Sequence, residues 1–188
     1  IVHYSNIDKL KNDCVISDNF IKLYNELSPG PITFILKLKK GSKISKFVTN
    51  KQESLAVRFP KHSLFKKLLK NLDYPLAAPS ANLYGRVSPT KAAHVSKQLS
   101  GSIPYILDGG MSSKGIESTI LGFENGKTIL YRLGAITTEE IEDCIGGKVV
   151  IYDHNLISDQ PITSGMVNYH YAPQTPIYDI GDISKIET

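Results

Sequence analysis

The chain has 188 residues, 41% hydrophobic and 21% charged, with a formal charge of +4. That length suits one domain, or one domain plus a fragment. No apolar run approaches the ~20 residues of a membrane-spanning helix, Ile1-Val2-His3-Tyr4 does not open a signal peptide, and two distant cysteines, Cys14 and Cys144, make neither a disulfide framework nor a zinc site.

Both cysteines read as reduced packing residues, and the compartment as cytoplasmic. His3, His62, His94, His154 and His170 show no i, i+4 pairing, so no protein-held metal is predicted. Lysines gather at Lys37, Lys39, Lys40, Lys43 and Lys46, and again at Lys66, Lys67 and Lys70. Such clusters suit phosphate-bearing partners or simply form a solvated face.

Residues 1–4 read as extended. Ser17-Asp18 caps a helix with Phe20, Ile21, Tyr24 and Leu27 on its apolar side, and Ser28-Pro29-Gly30-Pro31 ends it. Residues 32–38 are a strand, 39–42 a turn, and 44–49 a partner strand. Residues 55–60 form a short strand interrupted by Arg58. A helix follows over 62–72, with Leu64, Phe65, Leu68 and Leu69 inward. Residues 74–78 return as a strand. A helix over 90–99 and a strand over 103–107 come next. Strand 118–123 meets strand 128–133 through Asn125-Gly126, a strong hairpin signal. Thr137 and Glu140 have capping-box spacing for a helix that Gly146-Gly147 stops, and 149–152 is the last strand. The alternation predicts an α/β domain with a twisted mixed sheet and flanking helices over 1–152. Residues 153–175 read as a linker lying back over the domain, on account of Met166, Tyr169 and Tyr171. Residues 176–188 look like the first strand of a further domain.

The stretch from Pro79 to Thr90 is dense in hydroxyls, amides and turn formers, between an apolar run and a helical pattern. It reads either as an anion site or as a loop and helix cap. Arg58 and Arg132 sit inside apolar strands, where each faces solvent or clamps a carboxylate or phosphate bidentately. Neither paired carboxylates nor a Ser/His/Asp or Cys/His set stands out. An enzyme built this way works by positioning and charge stabilisation.

Several motifs in order carry a resemblance: Ser54-Leu55-Ala56-Val57-Arg58-Phe59-Pro60, Ala78-Pro79-Ser80-Ala81-Asn82, Ser88-Pro89-Thr90, Glu117-Ser118-Thr119-Ile120 and Arg132-Leu133-Gly134-Ala135-Ile136. Together they resemble the YrdC-like family of threonylcarbamoyl-AMP synthases. Gly165-Met166 and His170-Tyr171-Ala172-Pro173 resemble the linker of its two-domain branch. The resemblance implies a twisted α/β domain with a positively charged cavity. It implies that L-threonine, bicarbonate and ATP, accompanied by Mg²⁺, give threonylcarbamoyl-adenylate and pyrophosphate. The product would feed the machinery that makes tRNA threonylcarbamoyladenosine. Carried over residue by residue, Arg58 would hold the threonine carboxylate, with the Ala78 backbone and Ser118 nearby. Ser54, Ser80, Asn82, Ser88 and Arg132 would line the ATP site, and Tyr171 would close over the nucleotide.

The family's opening segment carries a Pro-Thr-x-Thr-type motif and a Lys-x-Arg-Pro motif, and these residues do not contain them. The expectation is therefore a chain truncated at both ends, incomplete for catalysis and missing part of a cavity wall. Two other readings stand beside the synthase. One is a non-catalytic, ribosome-associated module binding tRNA or double-stranded RNA through its lysines. The other is a carbamoyl-transferring relative, which the His170-Tyr171-Ala172-Pro173 motif disfavours.

Overall fold

The computed structural model describes residues 1–153, 171–173 and 175. Expectations for Met166, Tyr169, His170, Gly165 and residues 176–188 lie outside the described residues.

The strands are β1 (Val2–His3), β2 (Ile32–Lys37), β3 (Ser54–Arg58), β4 (Leu76–Ala77), β5 (Thr119–Glu124), β6 (Lys127–Arg132) and β7 (Val150–Ile151). The helices are α1 (Ile7–Leu10), α2 (Asp18–Leu27), α3 (Lys46–Thr49), α4 (Ser63–Lys70), α5 (Ala92–Leu99) and α6 (Thr138–Ile145). The strands form one mixed sheet in the order β4-β1-β3-β2-β5-β6-β7. β1–β3, β2–β5 and β6–β7 are parallel; β1–β4, β2–β3 and β5–β6 are antiparallel. This is the α/β architecture that the alternating pattern predicts.

Local chemistry sets the element ends. The Ser17 side chain accepts the Phe20 N–H to start α2. Thr137 and Glu140 close a full capping box on α6, and Gly146 ends it at φ +66°. Asn125 and Gly126 both have positive φ, which a two-residue hairpin turn requires.

Alternation in the strands gives the sheet two unlike faces. On one, Val2, Phe34, Leu36, Leu55, Val57, Leu121 and Leu130 meet Phe20, Leu23 and Ile141 from α2 and α6. Phe20 stands edge-on to Phe34 with centroids 5.0 Å apart. Each such buried side chain stabilises the fold by roughly 1.5–3 kcal/mol. The opposite face carries a smaller apolar cluster of Ile120, Ile129 and Tyr131, and above it a polar row.

Three expectations are corrected. Residues 44–49 do not pair with β2, because β3 and β5 occupy both of its edges. They turn instead into α3, capped by Ser45 and ended by Asn50 at φ +50°. Residues 103–107 have strand composition but make only a single bridge, Ser100 to Ile103. Leu107 is 59% exposed and Tyr105 88%. On α4, Leu69 is buried but Leu68 faces outward. α1 was not expected; Asn6 caps it by accepting the Lys9 N–H.

Candidate functional site

One row of paired positions crosses the open face of the sheet: His3 opposite Arg58, Arg58 opposite Thr33, Thr33 opposite Ile120, and Ile120 opposite Arg132. Paired residues point to the same side. Arg58 and Arg132 therefore lie on either side of Thr33 and Ile120, about 14 Å apart at the backbone for three strand spacings.

A bulge puts Arg132 there. Leu121 pairs with Leu130, yet Ile120 pairs with Arg132, so Tyr131 is an extra residue in β6. Without it, Arg132 would share the core face with Leu130. Tyr131 lies flat over Gly122, where a β carbon would sit 2.6 Å from its ring. Its hydroxyl donates to Glu124 at 2.6 Å.

The Arg58 Nε donates to the Gly30 carbonyl at 3.2 Å. Among the described residues Arg58 has no carboxylate partner, and its one side-chain hydrogen bond leaves from Nε rather than from the terminal nitrogens. Burial and the charge of Arg132 both lower its pKa. Arg132 donates from Nε and Nη2 to the Ser118 carbonyl, at 3.2 and 3.0 Å, and from Nη2 to Ser118 Oγ at 3.3 Å. Ser118 Oγ also shares a 2.8 Å hydrogen bond with Thr33 Oγ1. His3 is pushed down to about 4 by burial and by Arg58, so the imidazole is neutral beside the guanidinium. Its Nδ1 lies 3.3 Å from the Leu76 carbonyl, and its ring stands edge-on to Phe65.

The backbones beneath Ser118 and Arg132 are locked together. The Ala135 N–H donates to the Glu117 carbonyl at 3.2 Å. Thr119 Oγ1 donates to the Ile136 carbonyl and accepts the Ile136 N–H.

The remaining expected residues divide. Ser54 opens β3 on the same face as Arg58, four positions away. The Ala78 N–H is used by the Ile1 carbonyl at 3.0 Å. Ser80 is exposed on the loop. Asn82 folds that loop, donating to the Leu83 and Arg86 carbonyls, while its Oδ1 is buried without a partner. Ser88 Oγ donates to Glu117 at 2.6 Å. The Tyr171 hydroxyl lies near Glu117 and Arg132, whose charges act on it in opposite directions. The next residue, Ala172, donates its N–H to the Gly85 carbonyl at 2.9 Å, so residue 172 lies against the loop. Tyr171 reaches this position at φ +60°, a left-handed conformation that costs about 1 kcal/mol and is offset in part by the adjacent Ala172–Gly85 bond.

Arg58, Ser118, Arg132, Ser88 and Tyr171 are thus brought together, with Ser54 on the same sheet face. His3, Thr33 and Glu117 join them without having been singled out for a role. Pairing register, which motif spacing does not encode, assigns His3 and Thr33 to the row. The arrangement offers two guanidiniums and several hydroxyls to an anionic, multi-oxygen ligand. Among the described residues no three His, Cys, Asp or Glu side chains group as metal ligands, and no helix is long and apolar enough to cross a membrane.

A family model for Sua5, YciO and YrdC, described as "Telomere recombination", matches residues 1–134. A Bacillus subtilis protein named threonylcarbamoyl-AMP synthase is 41% identical over 94% of this chain and 51% of its own length. A Pyrococcus abyssi protein of that name is 36% identical over 79% of this chain and 44% of its own length. The crystal structure of P. abyssi Sua5 complexed with L-threonine superposes with a TM-score of 0.84 at 33% identity, covering 92% of this chain and 51% of that one. The chain spans about half the length of these relatives.

Proposed function

The chain belongs to the Sua5/YciO/YrdC family, and from that premise we propose that it is the synthase domain of a threonylcarbamoyl-AMP synthase. In this reading the threonine amine and bicarbonate give the N-carboxylate of threonine and water. A carboxylate oxygen of that carbamate then attacks the α-phosphorus of ATP, forming threonylcarbamoyl-adenylate as the bond to pyrophosphate breaks. No side-chain nucleophile enters either step.

The observation that carries the reading is the row that sets Arg58 and Arg132 on one face of the sheet. Two substrates each bring anionic oxygens, and a pair of guanidiniums across one strip of sheet suits both. Arg58 has its terminal nitrogens to offer the threonine carboxylate, with Ser118 and the Ala78 backbone beside it. Arg132, Ser88, Ser80, Asn82 and Ser54 line the nucleotide's side, and Tyr171 covers it from the linker. Mg²⁺ arrives with ATP as part of the substrate. A neutral His3 adds no further charge beside Arg58. Domain boundaries after 152 and after 175 fit this division of labour. The free cysteines, one buried, fit a cytoplasmic setting.

The test is release of pyrophosphate from ATP, by these 188 residues alone and with the family's opening segment joined ahead of Ile1. Release that requires both threonine and bicarbonate once that segment is present is the expected result; release indifferent to threonine, or none even then, refutes the reading. A second reading rests on the exposure of Lys37, Lys39, Lys40, Lys43 and Lys46, which suits binding of tRNA or double-stranded RNA by a non-catalytic module. RNA affinity that falls steeply with salt, without any threonine-dependent pyrophosphate release, would favour it.

A further inference from the structure

Glu117 is a carboxylate placed where the proposed ligand is an anion. It accepts the Ser88 hydroxyl at 2.6 Å, and the Tyr171 hydroxyl lies nearby, between it and the charge of Arg132. Its backbone is fixed by the Ala135 N–H and by the close passage of Gly134. Its side chain is half-buried, and it alone of the residue can move without disturbing β5.

A serine has one proton to donate. The Ser88 proton is committed to Glu117, so Ser88 cannot donate it to a phosphate at the same time. A phosphate arriving beside this carboxylate also meets like-charge repulsion, strengthened by the partly desolvated surroundings. A carboxylate and a phosphate oxygen are both acceptors for the same O–H and N–H groups.

We propose that the Glu117 carboxylate is the site's own anionic occupant: it holds the Ser88 hydroxyl in place, beside Tyr171, until the phosphates of a nucleotide or pyrophosphate displace it and take that hydroxyl over. Glu117 is thus a positioning residue that sets how tightly phosphates bind, and it links their arrival to the contact between the linker and the domain. The inference rests on the nucleotide reading of this site and extends it to a residue with no assigned role.

The test is calorimetric titration of the protein with inorganic pyrophosphate and with ATP, before and after Glu117→Gln. The glutamine keeps an acceptor oxygen but removes the charge, and pyrophosphate is expected to bind about tenfold more tightly. Placing Ser88→Ala in the same chain should shrink that gain, because the hydroxyl to be handed over is gone. Should the glutamine variant fail to fold, Glu117→Ala carries the same expected sign. A merely structural glutamate would give the opposite sign, weaker binding on removal. Unchanged or weaker pyrophosphate affinity in the folded variant overturns the proposal. The two readings fail separately: a pyrophosphate gain without threonine-dependent turnover refutes the synthase and leaves the hand-over standing, and turnover without the gain does the reverse.

Discussion

Gly134 passes so close to Glu117 that a β carbon on it would sit 2.6 Å from the Glu117 carbonyl oxygen and 2.4 Å from the Thr119 nitrogen. Both obstacles are backbone, so neither can rotate away. This contact sets the spacing between the segment that carries Ser118 and the one that carries Arg132. Gly134→Ala must push the two apart, and overpacking of this kind costs about 1–3 kcal/mol. The expected result is a lower urea midpoint together with weaker ligand binding. An alanine variant as stable as the parent would show that the two segments are not held by this contact.

Arg58 is expected to carry threonine affinity through its paired terminal nitrogens. Arg58→Ala should cost about 2–5 kcal/mol of threonine binding, the range for removing one partner of a desolvated, hydrogen-bonded charge pair. Arg58→Lys keeps the charge but loses the planar fork and the Nε bond to Gly30, and should recover little of the loss. Calorimetry with L-threonine reads both. An alanine variant that binds threonine as the parent does sinks the clamp assignment.

Much of the fold is legible in the chain because local signals agree with the tertiary outcome. Ser17, the Thr137–Glu140 box and Asn125-Gly126 each fix an element end by a bond or a φ value that few other residues supply. The arginines were legible as clamp candidates, but not their juxtaposition. Alternation through Leu130-Tyr131-Arg132 assigns Arg132 to the same face as Leu130, and only the bulge at Tyr131 reverses it. Residues 44–49 misled for a related reason. Their apolar and β-branched composition suits a strand, but strand formation needs a free edge, and β2 has none.

His3 makes stability depend on pH. Its folded pKa is about 4 against an ordinary 6.5, and it is 8% exposed. Below pH 6.5 the unfolded chain takes up a proton that the folded chain refuses until about pH 4. Stability therefore falls as pH drops through that window, by about 3 kcal/mol in total from this residue. His3→Asn keeps an N–H for the Leu76 carbonyl and removes the titration. Urea midpoints of parent and variant at several pH values should converge as the pH falls, because only the parent loses this contribution. Parallel curves would show that His3 is not the group responsible.

The two thiols should differ in reactivity. Cys14 is fully buried, and burial together with Asp13 pushes its pKa up to about 12, so almost no thiolate exists near neutral pH. Cys144 is half-buried near the end of α6, and its pKa is raised by burial and nearby carboxylates. A disulfide reagent should titrate Cys144 slowly in the native protein and reach Cys14 only through unfolding. Adding ligand should slow the Cys14 phase alone, since whatever stabilises the fold suppresses the opening that exposes it. Equal native rates at both positions would mean that the core around Cys14 opens far more readily than its packing against Leu10 and Leu36 implies.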